Sequence, residues 1–503
     1  QGSLWLMAPL SDLRPAATLA AINAYAEEQG GGGLQCRLAK GKGRVLVATR
    51  SFEPGEVLLV EPPLHAVREE PGNEAFDSLK TLCAQWEDAG EDVQWYWYGL
   101  RSLTEEELGG LRGAPWPPLE EQARQRLLLL HEGGAGSSRP SRRTAEVARQ
   151  LAPRLRDAGV LERCMQGWKL NAFDYSDDDR GLAGAALYFL PSFMSHSCLP
   201  SAVWHIDGGD RYVLRARRTI DAGDEVSVTY LDENALLDHA AIRRRDLFDS
   251  KEFWCACERC TATQDKSRGF RCPACQQGSV FARAPGCGDL PDGHFEDELE
   301  TDSEEDDEGT AGRPLWLARS SGSQPGKCLR LLARAACVSC GFALPAEEAA
   351  LLVEIEAELQ VILARWRADG KHFSAATADV DRAEKLMERH LTQHSASHRV
   401  RKFLARHYRG TGERHKQLSA LQARVEFSKA AYPGISAAHA WALEAYADAL
   451  ADADVGMQRR GKCPEEAVAA YLEALRILTV MFGPDHEYVQ AVEVKLFHGS
   501  AAG

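Results

Sequence analysis

The hydrophobic pattern of this chain changes from short apolar runs to helical spacing. Within residues 36–67, the apolar runs 45–47 and 57–60 are separated by a Pro-Gly turn, which predicts two β-strands. Residues 160–228 again read as short strands joined by turns. From residue 346 to about residue 497, apolar positions recur at helical intervals in a sequence rich in Ala, Leu and Glu. The pattern predicts a β-rich region followed by a helical one.

Two helical stretches interrupt the predicted strands. Residues 69–163 read as helices with Pro- and Gly-rich breaks, and they carry the aromatic cluster Trp95-Tyr96-Trp97-Tyr98. We expect these rings to pack inside the insert, with a partner-binding surface as the alternative. Residues 232–250 predict a charged helix, on which Arg243-Arg244-Arg245 is expected to form a solvated face.

Length and composition indicate a multidomain protein without membrane helices. The 503 residues exceed a single hydrophobic core and suggest about two to four domains. No apolar run reaches the roughly 20 residues of a membrane span. No basic region precedes the short apolar stretch at residues 4–10, so we expect no secretion signal.

Most of the net charge of −15 lies in one segment. Between Asp289 and Glu308 the chain has twelve acidic residues and no Lys or Arg, so the remainder is near neutral. Such a block cannot bury a core, and we expect a disordered, solvated loop at residues 288–313. A decoy for basic protein tails is the alternative. Overall charge gives no indication of direct nucleic-acid binding.

The fourteen cysteines fall largely into closely spaced pairs, which favours metal binding over disulfides in a chain without a secretion signal. This expectation places the protein in a reducing compartment, cytoplasm or nucleus. Cys255, Cys257 and Cys260 supply three thiolates, and tetrahedral zinc needs four. Two Cys-x-x-Cys pairs predict a second zinc site, with four reduced thiols as the alternative. These pairs are Cys272 with Cys275 and Cys337 with Cys340, and Cys287 and Cys328 are spare candidates.

Three further motifs follow one another along the chain. The first is Gly41-Lys42-Gly43 beside a predicted strand, where glycine allows positive φ and lets backbone amides approach a ligand. The second is Ser195-His196-Ser197-Cys198, and the third runs from Gly223 to Tyr230. Together with the cysteines of residues 255–260, this order resembles the SET domain and post-SET zinc site of the SET and MYND (SMYD) family.

The resemblance implies an enzyme that transfers a methyl group from S-adenosylmethionine to the side-chain amine of a lysine in a protein. In that family the cysteine of the second motif, here Cys198, is a fourth zinc ligand, and a tyrosine, here Tyr230, orients the lysine. Tyr188 and Phe253 would line the lysine channel. The cofactor-binding residues that the resemblance implies are Lys40, Lys42, Asn171, Ser192, Ser195 and His196.

The chemistry of this reaction explains the need for a tyrosine. The lysine must arrive as a neutral amine with its lone pair aimed at the sulfonium methyl group. A narrow apolar channel and the positive sulfur of the cofactor both lower the pKa of that lysine. A tyrosine hydroxyl can align the amine without acting as a strong base, so much of the rate should come from in-line positioning. A buried core tyrosine is the alternative for Tyr230.

The chain departs from the family pattern in two ways. Ser195 and Ser201 stand where the family has asparagine, and a serine hydroxyl has a shorter reach than an amide. Residues 69–163 contain only Cys83 and His131, which cannot build a MYND zinc finger. The serine at position 195 motivates a second hypothesis, a catalytically weak SET scaffold that recruits protein partners through its helical C-terminal domain. A zinc hydrolase is disfavoured because no His-Glu-x-x-His string exists.

These observations predict an α+β fold: a split β-rich SET domain with a helical insert, a Cys-rich zinc post-SET region and an all-α, tetratricopeptide-like (TPR-like) C-terminal domain. We expect a monomer that acts on a histone or non-histone protein, with a possible protein partner on the helical domain and no membrane association. The predicted boundaries are 1–34 for an N-terminal segment, 35–68 and 164–250 for the two SET halves, 69–163 for the insert, 251–262 for the post-SET site, 263–345 for the zinc ribbon and 346–498 for the helical domain.

Overall fold

The structure is a computed structural model, and the chain divides into two compact units. The first comprises residues 1–195 and 204–228, and the second comprises residues 196–203 and 229–503. The acidic segment 288–313 and the spare cysteines Cys287 and Cys328 lie outside the described residues. The described residues are 15–30, 32–86, 92–107, 118–130, 139–176, 180–251, 253–283, 332, 335–368, 376–453 and 464–500.

Short antiparallel strands form the β-structure of the first unit. The strands up to residue 228 are β1 (Leu34–Ala39), β2 (Gly43–Ala48), β3 (Val57–Glu61), β4 (His65–Arg68), β5 (Phe173–Asp174), β6 (Gly184–Leu187), β7 (Ser195–His196), β8 (Ala202–Ile206), β9 (Tyr212–Ala216) and β10 (Ser227–Val228). Strand β1 pairs with β2, β3 with β9, and β6 with both β4 and β5. At the last pair of the β1–β2 ladder, Ala39 lies opposite Gly43. The few residues between these two therefore form a tight turn that joins the strands.

Helices occupy the stretch between β4 and β5. Asn73 caps the start of the helix Glu74–Cys83, because its side-chain oxygen accepts hydrogen bonds from the backbone N–H groups of Ala75 and Phe76 at 3.0 and 3.4 Å. Tyr96, Trp97 and Tyr98 are buried, which confirms that the aromatic cluster packs inside this region. The helices of the first unit are α1 (Pro15–Gly30), α2 (Glu74–Cys83), α3 (Asp92–Arg101), α4 (Glu121–Leu127), α5 (Arg142–Leu151) and α6 (Ala158–Asn171).

Helix α6 corrects the prediction of strands from residue 160. Its start is capped by Asp157, whose carboxylate accepts from the backbone N–H of Gly159 at 2.8 Å. Leu161, Met165 and Trp168 are buried and recur at helical spacing, so one face of the helix enters the core. The apolar residues that suggested a strand are therefore one stripe of a helix that crosses the predicted boundary at residue 164.

In the part of the second unit that the structure describes, short strands are followed by a series of helices. The helices between residues 395 and 500 each pack on the next one along the chain. This is the arrangement of stacked helical pairs that the TPR-like prediction describes. Their bounds and those of the preceding elements are α7 (Ala240–Lys251), β11 (Arg268–Arg271), β12 (Ser279–Phe281), α8 (Ala346–Ala368), α9 (Thr377–His390), β13 (Leu391–His394), α10 (Ser395–Thr411), α11 (Arg414–Ala431), α12 (Ala437–Ala453), α13 (Glu465–Phe482) and α14 (Glu487–Ser500).

One strand lies within the region predicted to be all helical. Strand β13 pairs antiparallel with β11, whose other neighbour is β12. Phe270 of β11 and Leu391 of β13 are buried in one hydrophobic cluster with Leu359 and Trp366 of α8. The Cys-x-x-Cys region and the first helices after it therefore share a core. Within the described residues, no helix is long and apolar enough to cross a membrane.

Candidate functional site

In the first unit, the Gly41-Lys42-Gly43 turn meets a carboxylate from further along the chain. Gly41 and Gly43 have φ values of 76° and 77°, which only glycine adopts freely. The Lys42 ammonium nitrogen lies 2.8 and 2.9 Å from the two carboxylate oxygens of Glu225. The Ser195 hydroxyl donates a short hydrogen bond to the same carboxylate. Two predicted cofactor residues thus converge on Glu225, which the sequence did not single out for this role.

Two more predicted cofactor residues of the first unit, Asn171 and Ser192, form hydrogen bonds with its backbone. The Asn171 amide donates to the Gly167 carbonyl at 2.7 Å, and the Ser192 hydroxyl donates to the Tyr188 carbonyl at 2.7 Å. Lys40 is exposed beside the glycine turn. Their predicted cofactor roles stay predictions.

Tyr188 lies in the aromatic core of the first unit. Its hydroxyl donates to the Asp210 carbonyl at 2.8 Å, and its ring packs 5.5 Å from Phe173 and 5.4 Å from Tyr212. Burial raises the pKa of Tyr188, with Asp210 adding to the effect. The hydroxyl therefore has a fixed structural partner, and the predicted role of Tyr188 in a lysine channel stays a prediction.

In the second unit, three predicted residues form an aromatic group. The His196 and Tyr230 rings are 5.4 Å apart, Tyr230 and Phe253 are 6.2 Å apart, and His196 and Phe253 are 6.0 Å apart. The backbone N–H of Tyr230 donates to Nδ1 of His196 at 3.0 Å. Tyr230 remains 41% exposed, so its ring borders an open face. This exposure does not fit the alternative of a buried core tyrosine.

A lysine that the sequence did not single out lies beside this group. The Lys251 ammonium nitrogen is 6.0 Å from the centre of the Tyr230 ring, at the end of α7. Burial lowers the pKa of Lys251. The amine of Lys251 is therefore partly shielded from water, while Tyr230 beside it borders an open face.

The first cysteine cluster has the geometry of a zinc site. The sulfurs of Cys198, Cys255, Cys257 and Cys260 all lie within 4.8 Å of one another. Four zinc–sulfur bonds of about 2.3 Å at tetrahedral angles place the sulfurs about 3.8 Å apart. The distance between the sulfurs of Cys198 and Cys260 is 3.5 Å. Four thiolates fill a tetrahedral shell, so this set suits a structural zinc ion and leaves no position for a reacting water.

Arg243 and Arg244 correct the expectation of a solvated face on α7, because each is only 1% exposed. Nη2 of Arg243 lies 3.7 Å from the Cys260 sulfur. Burial alone would lower the pKa of Arg243, but the negative sulfurs of Cys260 and Cys198 raise it. Arg243 therefore offsets part of the negative charge of four thiolates, which the local sequence pattern could not reveal.

The second cysteine cluster also fits zinc. The sulfurs of its four residues lie within 4.8 Å of one another, with Cys272 to Cys340 at 3.7 Å and Cys275 to Cys337 at 3.8 Å. The backbone N–H of Gly278 donates to the Cys275 sulfur at 3.3 Å. A side-chain carbon at Gly278 would overlap the Cys337 sulfur. The two predicted Cys-x-x-Cys pairs are therefore brought together, and glycine is required beside them.

Comparison with known proteins agrees with this order of motifs. The family model of the SET domain matches residues 43–231. The mouse histone-lysine N-methyltransferase SMYD3 is 38% identical over 96 residues, which cover 19% of this chain and 21% of that protein. Rat N-lysine methyltransferase SMYD2 is 36% identical over 98 residues, which cover 20% and 22%. The matched region thus spans about a fifth of the length of these relatives.

Two other comparisons extend the range of similar proteins. The Drosophila melanogaster SET domain-containing protein SmydA-8, isoform B, is 29% identical over 130 residues, which cover 25% of this chain and 27% of that protein. A crystal structure of the SET domain of LSMT bound to lysine and AdoHcy has 12% identity and a TM-score of 0.27, over 82% of this chain and 91% of that chain. By these sequence matches, residues 43–231 are similar to SET domains, and a stretch of about a hundred residues is similar to the SMYD methyltransferases.

Proposed function

We propose that this protein transfers a methyl group from S-adenosylmethionine to the side-chain amine of a lysine in a protein substrate. One observation carries the proposal: His196, Tyr230 and Phe253 form one aromatic group, and His196 contacts the cysteine cluster in the motif order of a SET domain. The relatives named methyltransferases match in the same part of the chain. Activity of the whole protein is inferred from that shared region.

The residues of the first unit are proposed to hold the cofactor. The Gly41–Gly43 turn would offer backbone N–H groups to its carboxylate, and the carboxylate of Glu225 would favour its positive charges. Ser195 would keep Glu225 in place through its hydroxyl hydrogen bond. When bound, S-adenosylmethionine supplies an electrophilic methyl group on a sulfonium sulfur.

The residues of the second unit are proposed to prepare the lysine. The Tyr230 hydroxyl would orient the amine, and Phe253 would exclude water from its carbon chain. A substrate lysine would lose contact with water as its carbon chain packs on Tyr230 and Phe253, and such burial favours the neutral amine. The neutral amine of the substrate would be the nucleophile for methyl transfer, and it would release one proton to solvent.

Zinc is proposed to have a structural role. The four sulfurs of the first cluster join the second SET motif at Cys198 to residues 255–260, so a bound ion would fix Phe253 relative to His196. The ion would take no part in methyl transfer, because all four ligand positions are filled by thiolates.

A catalytically weak scaffold remains the second candidate, and Ser195 motivates it. The carboxylate of Glu225 is already engaged by Lys42 and Ser195, which reduces its freedom to meet a ligand. A scaffold would use the stacked helices after residue 395 to recruit a partner. We propose the enzyme as the better account because Tyr230 stays open to solvent beside Phe253.

We further propose that the protein is a monomer in the cytoplasm or nucleus and that it acts on a histone or non-histone protein.

Replacement of Tyr230 by phenylalanine tests the proposed function. With tritiated S-adenosylmethionine and either core histones or a cell extract as acceptor, Tyr230→Phe should lower turnover about 100-fold. Cofactor affinity should stay within about twofold, because the hydroxyl acts on the lysine. Tyr488, equally 41% exposed in the second unit, provides the matched Tyr488→Phe control. Wild-type turnover by Tyr230→Phe, or no transfer to lysine by the native protein, would contradict the assignment.

A further inference from the structure

We propose that the His196 side chain is a positioning residue that ties the backbone of Tyr230 to the metal ligand Cys198. This inference rests on the proposed function for its effect on turnover, although the link itself is a property of the folded second unit. It assigns to the imidazole a task different from direct contact with the cofactor.

The two ring nitrogens of His196 have different partners. Nδ1 accepts the backbone N–H of Tyr230 at 3.0 Å, so it carries no proton. A neutral imidazole then carries its proton on Nε2, which lies 3.2 Å from the Cys198 sulfur. A thiolate accepts that proton, and the bond is strengthened by its charge. The ring is only 8% exposed, so neither bond competes strongly with water.

This arrangement uses the full hydrogen-bonding capacity of a neutral imidazole. Such a ring has one donor and one acceptor, and both are engaged within the second unit. A cofactor contact at His196 would therefore fall to its backbone. The side chain instead holds Tyr230 at a set distance from the cysteine cluster.

Tyr230 needs such a link because its ring is only partly packed. The neighbouring turn is held by Thr229, whose hydroxyl oxygen accepts the backbone N–H of Leu231 at 3.0 Å. His196 holds the intervening residue, Tyr230, by accepting its backbone N–H. Because Tyr230 is 41% exposed, these backbone restraints add to its ring contacts with His196 and Phe253 in fixing its position. Loss of the metal should then loosen Tyr230 through Cys198 and His196.

Two amide substitutions separate the two bonds. Asparagine at position 196 places its oxygen near the Nδ1 position and keeps an acceptor for Tyr230, whereas glutamine places its amide nitrogen near Nε2 and keeps a donor for Cys198. Hydrogen exchange followed by mass spectrometry should show the Tyr230 amide exchanging about tenfold faster in His196→Gln than in His196→Asn. A zinc content and a thermal midpoint close to those of the wild-type protein would show that both variants are folded. Removal of zinc with a chelator should accelerate the same amide in the wild-type protein.

Kinetics then tests the consequence for catalysis. His196→Gln should lower kcat about tenfold or more with S-adenosylmethionine affinity within about twofold, and His196→Asn should recover most of that loss. Equal exchange of the Tyr230 amide in both variants would overturn the inference. So would loss of cofactor affinity in both variants with kcat unchanged. If the wild-type protein transfers no methyl group, the proposed function fails, yet the exchange measurement still decides whether His196 holds Tyr230.

Discussion

At the scale of single residues, the rings of His196, Tyr230 and Phe253 lie together in the second unit. Tyr230, His196 and Phe253 could be selected because each stands in a recognisable string, and the structure places them together. The burial of Arg243 could not be predicted, because the Cys198 and Cys260 sulfurs that compensate its charge come from other segments. A run of arginines on a short helix otherwise indicates a solvated face.

A buried glutamate gives the first unit a predictable pH dependence. Glu61 is fully buried and accepts the backbone N–H groups of Phe189 and Leu190, yet burial raises its pKa from 4.5 to about 8. Between pH 4.5 and about 8, Glu61 therefore keeps its proton in the folded state, whereas the same carboxyl group in the unfolded chain has lost it. Stability from this group is fully present below pH 4.5 and is lost as the pH rises to about 8.

Substitution of Glu61 by glutamine should remove this dependence. The thermal midpoint of the wild-type protein should fall between pH 5 and pH 8 more steeply than that of Glu61→Gln, because the amide does not titrate. Differential scanning calorimetry at these two pH values measures the difference. If the thermal midpoint changed with pH by the same amount in both proteins, Glu61 would ionise in the folded state as it does in the unfolded chain.

At the scale of elements, predictions succeeded where the determining residues are close in sequence. The paired spacing of Cys272 with Cys275 and of Cys337 with Cys340 indicated the second cluster correctly. Strand β13 escaped prediction because its partner, β11, lies more than a hundred residues earlier. Four residues between two helices carry no strand signal of their own, so only the tertiary pairing creates this element.

A buried carboxylate on helix α8, Glu356, connects several elements of the second unit. Glu356 is fully buried, with Nη2 of Arg268 at 2.6 Å and Nε2 of His239 and His394 at 3.2 and 3.3 Å. Burial alone would raise the pKa of Glu356, but Arg268 and the histidines hold it well below its usual range. The carboxylate thus connects α8 to β11, to the start of α7 and to β13.

Glu356→Gln should destabilise the protein by about 3 kcal/mol, because it leaves buried cationic and polar groups without a charge partner. The matched control is Glu358→Gln on the same helix, where the exposed pair with Arg382 should contribute little to stability. The thermal midpoint of Glu356→Gln should fall by roughly 6–12 °C. A decrease no larger than that of Glu358→Gln would contradict the role assigned to the buried network.

At the scale of the whole molecule, the sequence predicted the α+β class, the Cys-rich clusters and the stacked helices, because each leaves a periodic or motif-based signal. The prediction of strands from residue 160 was wrong because the apolar residues there form one stripe of α6, and the predicted domain boundaries stay predictions. The SET domain match over residues 43–231 supports methyl transfer as the central account. Binding of S-adenosylmethionine is the property that an enzyme needs and a pure scaffold does not.

The most direct test is a calorimetric titration of the zinc-loaded protein with S-adenosylmethionine. ATP, which shares the adenosine group but lacks the methionine end, serves as the matched control ligand. We predict one micromolar site for S-adenosylmethionine, about −8 kcal/mol, and at least tenfold weaker binding of ATP. The absence of binding in a folded, zinc-replete sample would contradict the proposed methyl transfer and favour the scaffold.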